Sequence, residues 1–112
     1  MYQDVVIING PVVKDGIADY ERVKINARPL GRPHAWSNGF QTNGGFDLVF
    51  EAEDGSVWIQ NVEWETEVYP SPVSNPRTYY YYETYPSLAE AREGWRGWLI
   101  RYVLGDDNPF SQ

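Results

Sequence analysis

An α+β fold, a curled antiparallel sheet of four to five strands in meander order with one C-terminal amphipathic helix packed on it, is predicted by three features of the 112-residue chain. An Asp54-Gly55 dipeptide stands between two β-rich runs, FDLVFEAE and SVWIQNVEW. Val23, Ile25 and Ala27 alternate with Arg22, Lys24 and Asn26, the period of a half-buried strand. A capped apolar stripe then begins at Ser87.

The elements follow in order. Asp4 to Ile8 is a β-rich apolar run stopped by Asn9, Gly10 and Pro11, and reads as a short buried strand. Lys14-Asp15-Gly16 turns the chain into IADYERVKINA, whose part around Tyr20 is compatible with strand or helix. Residues 28–45 are crowded with Gly, Pro, Asn and Ser and predict a long loop, which holds the lone His34 beside Trp36. A two-residue turn at Asp54-Gly55 predicts Glu53 opposite Ser56 and Phe50 opposite Ile59. In that register Phe46, Leu48, Phe50, Ala52, Val57 and Ile59 form the core face. Asp47, Val49, Glu51, Glu53, Trp58, Gln60, Val62 and Trp64 form the other, with Glu63, Glu65 and Glu67 alternating beyond.

A Pro-rich connector over 69–76 precedes RTYYYYETY, a strand with Tyr79 and Tyr81 on one face and Tyr80 and Tyr82 on the other. Their phenols could line a groove or simply reach the surface from a packed ring. Ser87, three residues before Glu90, caps a helix running to about Leu104 and ending at Gly105. Its stripe of Leu88, Ala91, Trp95, Trp98, Leu99, Tyr102 and Val103 is expected to be buried, with Ile100 and Leu104 off the stripe. The whole of 1–112 is expected to be a single domain with 105–112 as a loosely held tail.

Charge narrows the function classes. Of 16 acids and 9 bases, no Lys or Arg falls between Pro33 and Pro76, where Asp47, Glu51, Glu53, Asp54, Glu63, Glu65 and Glu67 equal the whole net charge of −7. Such a field repels nucleic acid directly and attracts basic surfaces. There is no cysteine, no apolar run long enough to span a bilayer, and no signal-peptide pattern in MYQDVVIING, so a cytoplasmic location is expected and a membrane role is not. No metal, phosphate-loop or cofactor motif occurs.

These features predict a non-enzymatic, acidic protein-binding module, an inhibitor engaging a basic, nucleic-acid-binding partner protein. The surface is Asp47, Glu51, Glu53, Trp58, Glu63, Trp64, Glu65 and Glu67, because aromatics anchor and carboxylates steer. Phage anti-defence and toxin-immunity proteins share this general description, an analogy from composition alone. Three alternatives stand beside it. Trp36, the tyrosines and Arg32 could hold a nucleotide or sugar; Ile100 and Leu104 could form the contact of a homodimer or a phage structural subunit; and His34 with a hairpin Glu and Arg28 or Arg32 could carry acid-base chemistry. No second titratable residue is spaced to orient the His34 ring.

Overall fold

The computed structural model describes residues 1–37, 43–68 and 71–105, with the side chains of residues 66–77 outside the description. Among the described residues six strands and two helices follow one another: β1 (Gln3–Lys14), β2 (Ile17–Pro29), β3 (His34–Ser37), β4 (Asn43–Ala52), β5 (Val57–Val68), β6 (Ser71–Tyr85), α1 (Leu88–Glu93) and α2 (Gly97–Leu104). All the pairings are antiparallel. Strands β3 to β6 run as a meander, but β1 pairs with β6 and β2 with β4, so β1, β2, β4, β5 and β6 close into a five-stranded barrel with β3 as a flap on β4. Closure removes the open edges that a simple meander would leave. The segment around Tyr20 is strand, and the proposed tail beyond Gly105 lies outside the described residues.

The seam between β1 and β6 is the short one, with Gly10 opposite Tyr80 as its register pair. Beyond it, the buried Gln60 spans the gap with its side chain. Its Nε2 donates to the carbonyls of Ile8 (2.9 Å) and Tyr81 (2.8 Å), and its Oε1 accepts from the Ile8 N–H at 2.7 Å. A glutamine amide thereby replaces ladder hydrogen bonds that buried backbone groups would otherwise lack.

The central hairpin is formed, one residue out of the expected register. Its loop has three residues, Glu53-Asp54-Gly55, with the Ala52 N–H donating to the Ser56 carbonyl at 2.8 Å and Gly55 at φ 92°. Gly55 thus supplies the left-handed residue of a three-residue loop rather than the second position of a two-residue turn. Phe50 therefore faces Trp58, and Val49 faces Ile59. Because side chains alternate, that shift exchanges the faces of β5. Val49, Val57 and Ile59 join Asp47, Glu51, Asn61, Glu63 and Glu65 on the outer face. Phe46, Leu48, Phe50, Ala52, Trp58, Gln60, Val62 and Trp64 share the inner face instead. Ser56 donates its Oγ–H and its N–H to Asp54 Oδ1 (2.6 and 2.9 Å), which holds the Asp54 carboxyl below its ordinary range. This small stabilisation is present above the unfolded-state pKa of Asp and is lost as pH falls through the lowered one.

The expected long loop 28–45 is interrupted by strand, and its residues 38–42 lie outside the described residues. β2 extends to Pro29, β3 occupies 34–37, and β4 begins at Asn43. Gly44 and Gly45 are not turn residues. A Cβ on Gly45 would sit 2.2 Å from the Val62 carbonyl and 3.1 Å from the Trp36 indole, and one on Gly44 would meet the Trp64 ring at 2.6 Å. The pair is flat so that one indole can lie across each face. The connector over 69–76 is shorter than expected, since β6 starts at Ser71.

The single expected helix is two. Ser87 caps α1, accepting from the Glu90 N–H at 3.2 Å, and Gly105 ends α2 at φ 71°. Between them Gly94 is extended, its N–H bonded back to Glu90 and Ala91. A Cβ there would meet the Tyr85 ring at 2.8 Å, and one on Gly97 would meet the Arg92 carbonyl at 2.0 Å. The break resets the helical phase. Leu99, Ile100 and Val103 become buried and pack with Leu30, Val49, Val57, Ile59 and Ala91, while Trp95 is 74% exposed and Trp98 and Tyr102 lie at the surface. The expected burial of Trp95 and the off-stripe position of Ile100 are both reversed.

Ile100→Ala is expected to lower stability by about 2–5 kcal/mol, and Trp95→Ala by less than about 1 kcal/mol, in urea denaturation. The opposite order would mean that the helix runs unbroken through Gly94.

Candidate functional site

The outer face of β3, β4, β5 and β6 is covered by the helices at one end and open at the other. Where they meet lies a buried carboxylate. Asp47, 2% exposed, accepts at Oδ1 from Arg96 Nη2 and Asn61 Nδ2, both at 2.8 Å, and its Oδ2 lies 3.2 Å from His34 Nδ1. Arg96 is also buried, and its Nη1 donates to Glu83 Oε1 at 3.2 Å. The Tyr85 hydroxyl donates to the other Glu83 oxygen at 3.0 Å, and burial followed by that carboxylate pushes the phenol pKa up. Charges this deeply withdrawn from water persist only when paired and hydrogen-bonded.

The same residues set the aromatic surroundings. The Arg96 guanidinium lies over the rings of Trp95 (5.1 Å) and Trp98 (5.8 Å). The His34 ring meets Trp98 and Tyr102 edge-on at 5.3 and 4.9 Å, and Arg32 lies 6.0 Å from the Tyr102 ring. His34 therefore has an orienting carboxylate, contrary to the expectation from spacing. A carboxylate accepts only, so Nδ1 carries the proton. The arrangement ties β3 to α2 through the ring's two edges.

Beyond Asn61 the outer face opens into a groove of two adjoining cavities. One, of about 260 Å³, is lined by Asn61, Glu63, Tyr81, Glu83, Trp95 and Arg96, together with Ile59 and Tyr82. The other, of about 120 Å³, is lined by Trp36, Asn43, Glu63, Trp64, Glu65, Tyr79 and Tyr81. Glu63 and Tyr81 belong to both. Strand pairing explains the assembly: Gly45 is opposite both Trp36 and Glu63, and Glu63 is in turn opposite Tyr79. The Tyr79 and Tyr81 rings stack at 6.5 Å and 8°. Glu63 is half-buried, and no described residue pairs with its carboxylate. Glu65 is in register with Arg77. Aromatic faces around an unanswered carboxylate bind cations, by ring quadrupole and by charge.

The expected surface is thus divided among several tasks. Asp47 is buried in the ion-pair network. Glu51 receives Arg28 Nε and Nη2 at 3.0 and 2.8 Å and lies 3.5 Å from the Tyr2 hydroxyl. Trp58 stacks on Tyr82 at 5.6 Å on the inner face and donates Nε1–H to Ser56 Oγ at 3.0 Å. Glu53 is exposed at the hairpin loop, away from the groove, and the side chain of Glu67 lies outside the described residues. Of that set only Glu63 and Glu65 face the groove, joined by Trp36, while Trp64 borders it from β5 with its indole across Gly44 on the inner face. Ile100 is fully buried and Leu104 packs against the core, so neither forms an exposed contact edge. Sequence reasoning missed Asn61, Glu83, Trp95 and Arg96, whose signal is the Gly94/Gly97 bracket around a Trp-Arg pair. Among the described residues, no helix is long and apolar enough to cross a membrane. No protein family, curated protein or solved structure matches the chain.

Removing one partner of the buried pair should be costly. Asp47→Ala is expected to destabilise by about 2–4 kcal/mol because it leaves the buried Arg96 with Glu83 as its one carboxylate among the described residues and Asn61 without its acceptor, whereas Glu51→Ala, at a partly exposed pair, should cost distinctly less. Urea denaturation of both variants checks this, and equal losses would contradict the assignment of Asp47 as the centre of the network.

Proposed function

We propose that this protein is a binding module that takes a basic segment of a partner protein in the outer groove between Trp36, Tyr79, Tyr81 and Trp95. The observation that carries the reading is Glu63: half-buried among aromatic rings, with no described cation beside it. A carboxylate that has lost part of its hydration gains from an incoming cation that water no longer fully screens. The Lys- and Arg-free stretch from Pro33 to Pro76 adds a field of one sign for steering such a partner. A partner that normally holds a phosphate backbone presents the lysines and arginines this groove requires, and occupation of that surface would make the protein an inhibitor. The binding surface lies on the outer face of β5 and β6 and not at the tip of the β4–β5 hairpin.

A labelled hexalysine amide provides the test, read by fluorescence anisotropy at two salt concentrations. Glu63→Lys with Glu65→Lys is compared with Glu51→Lys with Glu53→Lys, two pairs that alter net charge equally. The groove pair should weaken binding about tenfold or more at low salt, equivalent to about 1.4 kcal/mol, and the hairpin pair about twofold or less. Equal effects would show that the peptide senses only overall charge and would refute the groove.

A further inference from the structure

We infer that the larger cavity of the groove is an arginine pocket: a site for one guanidinium from the partner, stacked between Trp95 and Tyr81 and paired with Glu63. The inference rests on the groove reading above and names the side chain that the groove selects. Three observations support it. The cavity, about 260 Å³, falls below the roughly 300–1,000 Å³ of small-molecule sites and suits a single side chain. Two of its aromatic residues are presented to solvent, Trp95 74% and Tyr81 48% exposed, which leaves ring surface available to an incoming side chain. The positive charge already at its wall, on Arg96, is answered by Asp47 at 2.8 Å and Glu83 at 3.2 Å, so among the described residues the cavity carboxylate without a cation is Glu63.

The preference for arginine over lysine follows from shape and hydration. A guanidinium is planar and weakly hydrated, so it can lie flat on an indole or phenol ring while donating two parallel N–H bonds to a carboxylate. An ammonium is compact and strongly hydrated, and gains less from a ring it can meet only end-on. The chain itself makes contacts of this kind: Arg28 lies 5.8 Å from the Tyr2 ring centre while donating Nε and Nη2 to Glu51, and Arg96 lies 5.1 Å from the Trp95 ring centre. The partner's guanidinium takes the exposed side.

The test uses three capped hexapeptides on the full chain: hexalysine, the same peptide with its third residue arginine, and the same with citrulline there, which keeps the planar shape without the charge. The arginine peptide is expected to bind about fivefold more tightly than hexalysine, the citrulline peptide no more tightly. In Trp95→Ala, and separately in Tyr81→Ala, the arginine advantage should fall to about twofold or less while hexalysine still binds. Both positions are exposed enough for the variants to fold, and a melting curve verifies it. Equal affinity for arginine and lysine peptides in the wild type, or an advantage that survives both variants, overturns the arginine pocket and leaves the groove standing. Arginine-peptide binding that depends on Trp95 without any hexalysine binding supports the pocket and removes the wider groove. No binding by any peptide at millimolar concentration refutes both.

Discussion

A carboxylate placed under the helices has to be answered, and the rest of the outer face is arranged around that requirement. Asp47, 2% exposed on β4, takes Arg96, Asn61 and His34 as partners from three different elements. To deliver a guanidinium to that point, the chain between α1 and α2 turns inward at Arg96, and an unbroken helix would not present it there. Gly94 and Gly97 allow the turn because a Cβ at either would collide with Tyr85 or with the Arg92 carbonyl. One consequence is that Trp95 faces solvent instead of the core; another is that Ile100 replaces it inside. Burying such a pair is at best weakly stabilising compared with apolar packing, so its value lies in fixing how the helices sit on the sheet.

Parts of this fold are legible locally. Ser87 and Gly105 mark the ends of the helical region because caps are encoded within one turn of the chain. The β4–β5 hairpin is visible from Asp54-Gly55, but the dipeptide serves a two- or a three-residue loop, and the choice shifts register by one. That ambiguity exchanges the two faces of β5, placing Trp58 inside and Glu63 with Asn61 outside. The glycines at 44 and 45 resemble loop residues for the same reason that they serve here as a shelf for Trp36 and Trp64: they lack a side chain. Barrel closure is the least legible feature, since the β2–β4 and β1–β6 pairings join distant residues and leave no periodic mark.

The acidic middle of the chain, continuous in sequence, is not one surface. Alternation and pairing distribute its carboxylates among separate tasks: Asp47 holds the helices, Asp54 accepts from Ser56 in the loop, Glu51 is clamped by Arg28, and Glu63 faces the groove. Charge counting therefore identifies the class of ligand more readily than the residues that meet it. The groove assembles from β3, β4, β5, β6 and the α1–α2 turn, five segments that no local pattern connects.

The most direct measurement is a map of indole N–H resonances in a ¹H–¹⁵N spectrum as hexalysine amide is added, because the five tryptophans report on different parts of the molecule. Outer-face binding requires the Trp36 and Trp95 signals to move together with the backbone amides of Glu63 and Tyr81, while Trp58, stacked on Tyr82 at the inner face, stays fixed. Movement of Trp58 and the Glu51–Glu53 amides with Trp36 and Trp95 unchanged would contradict the account.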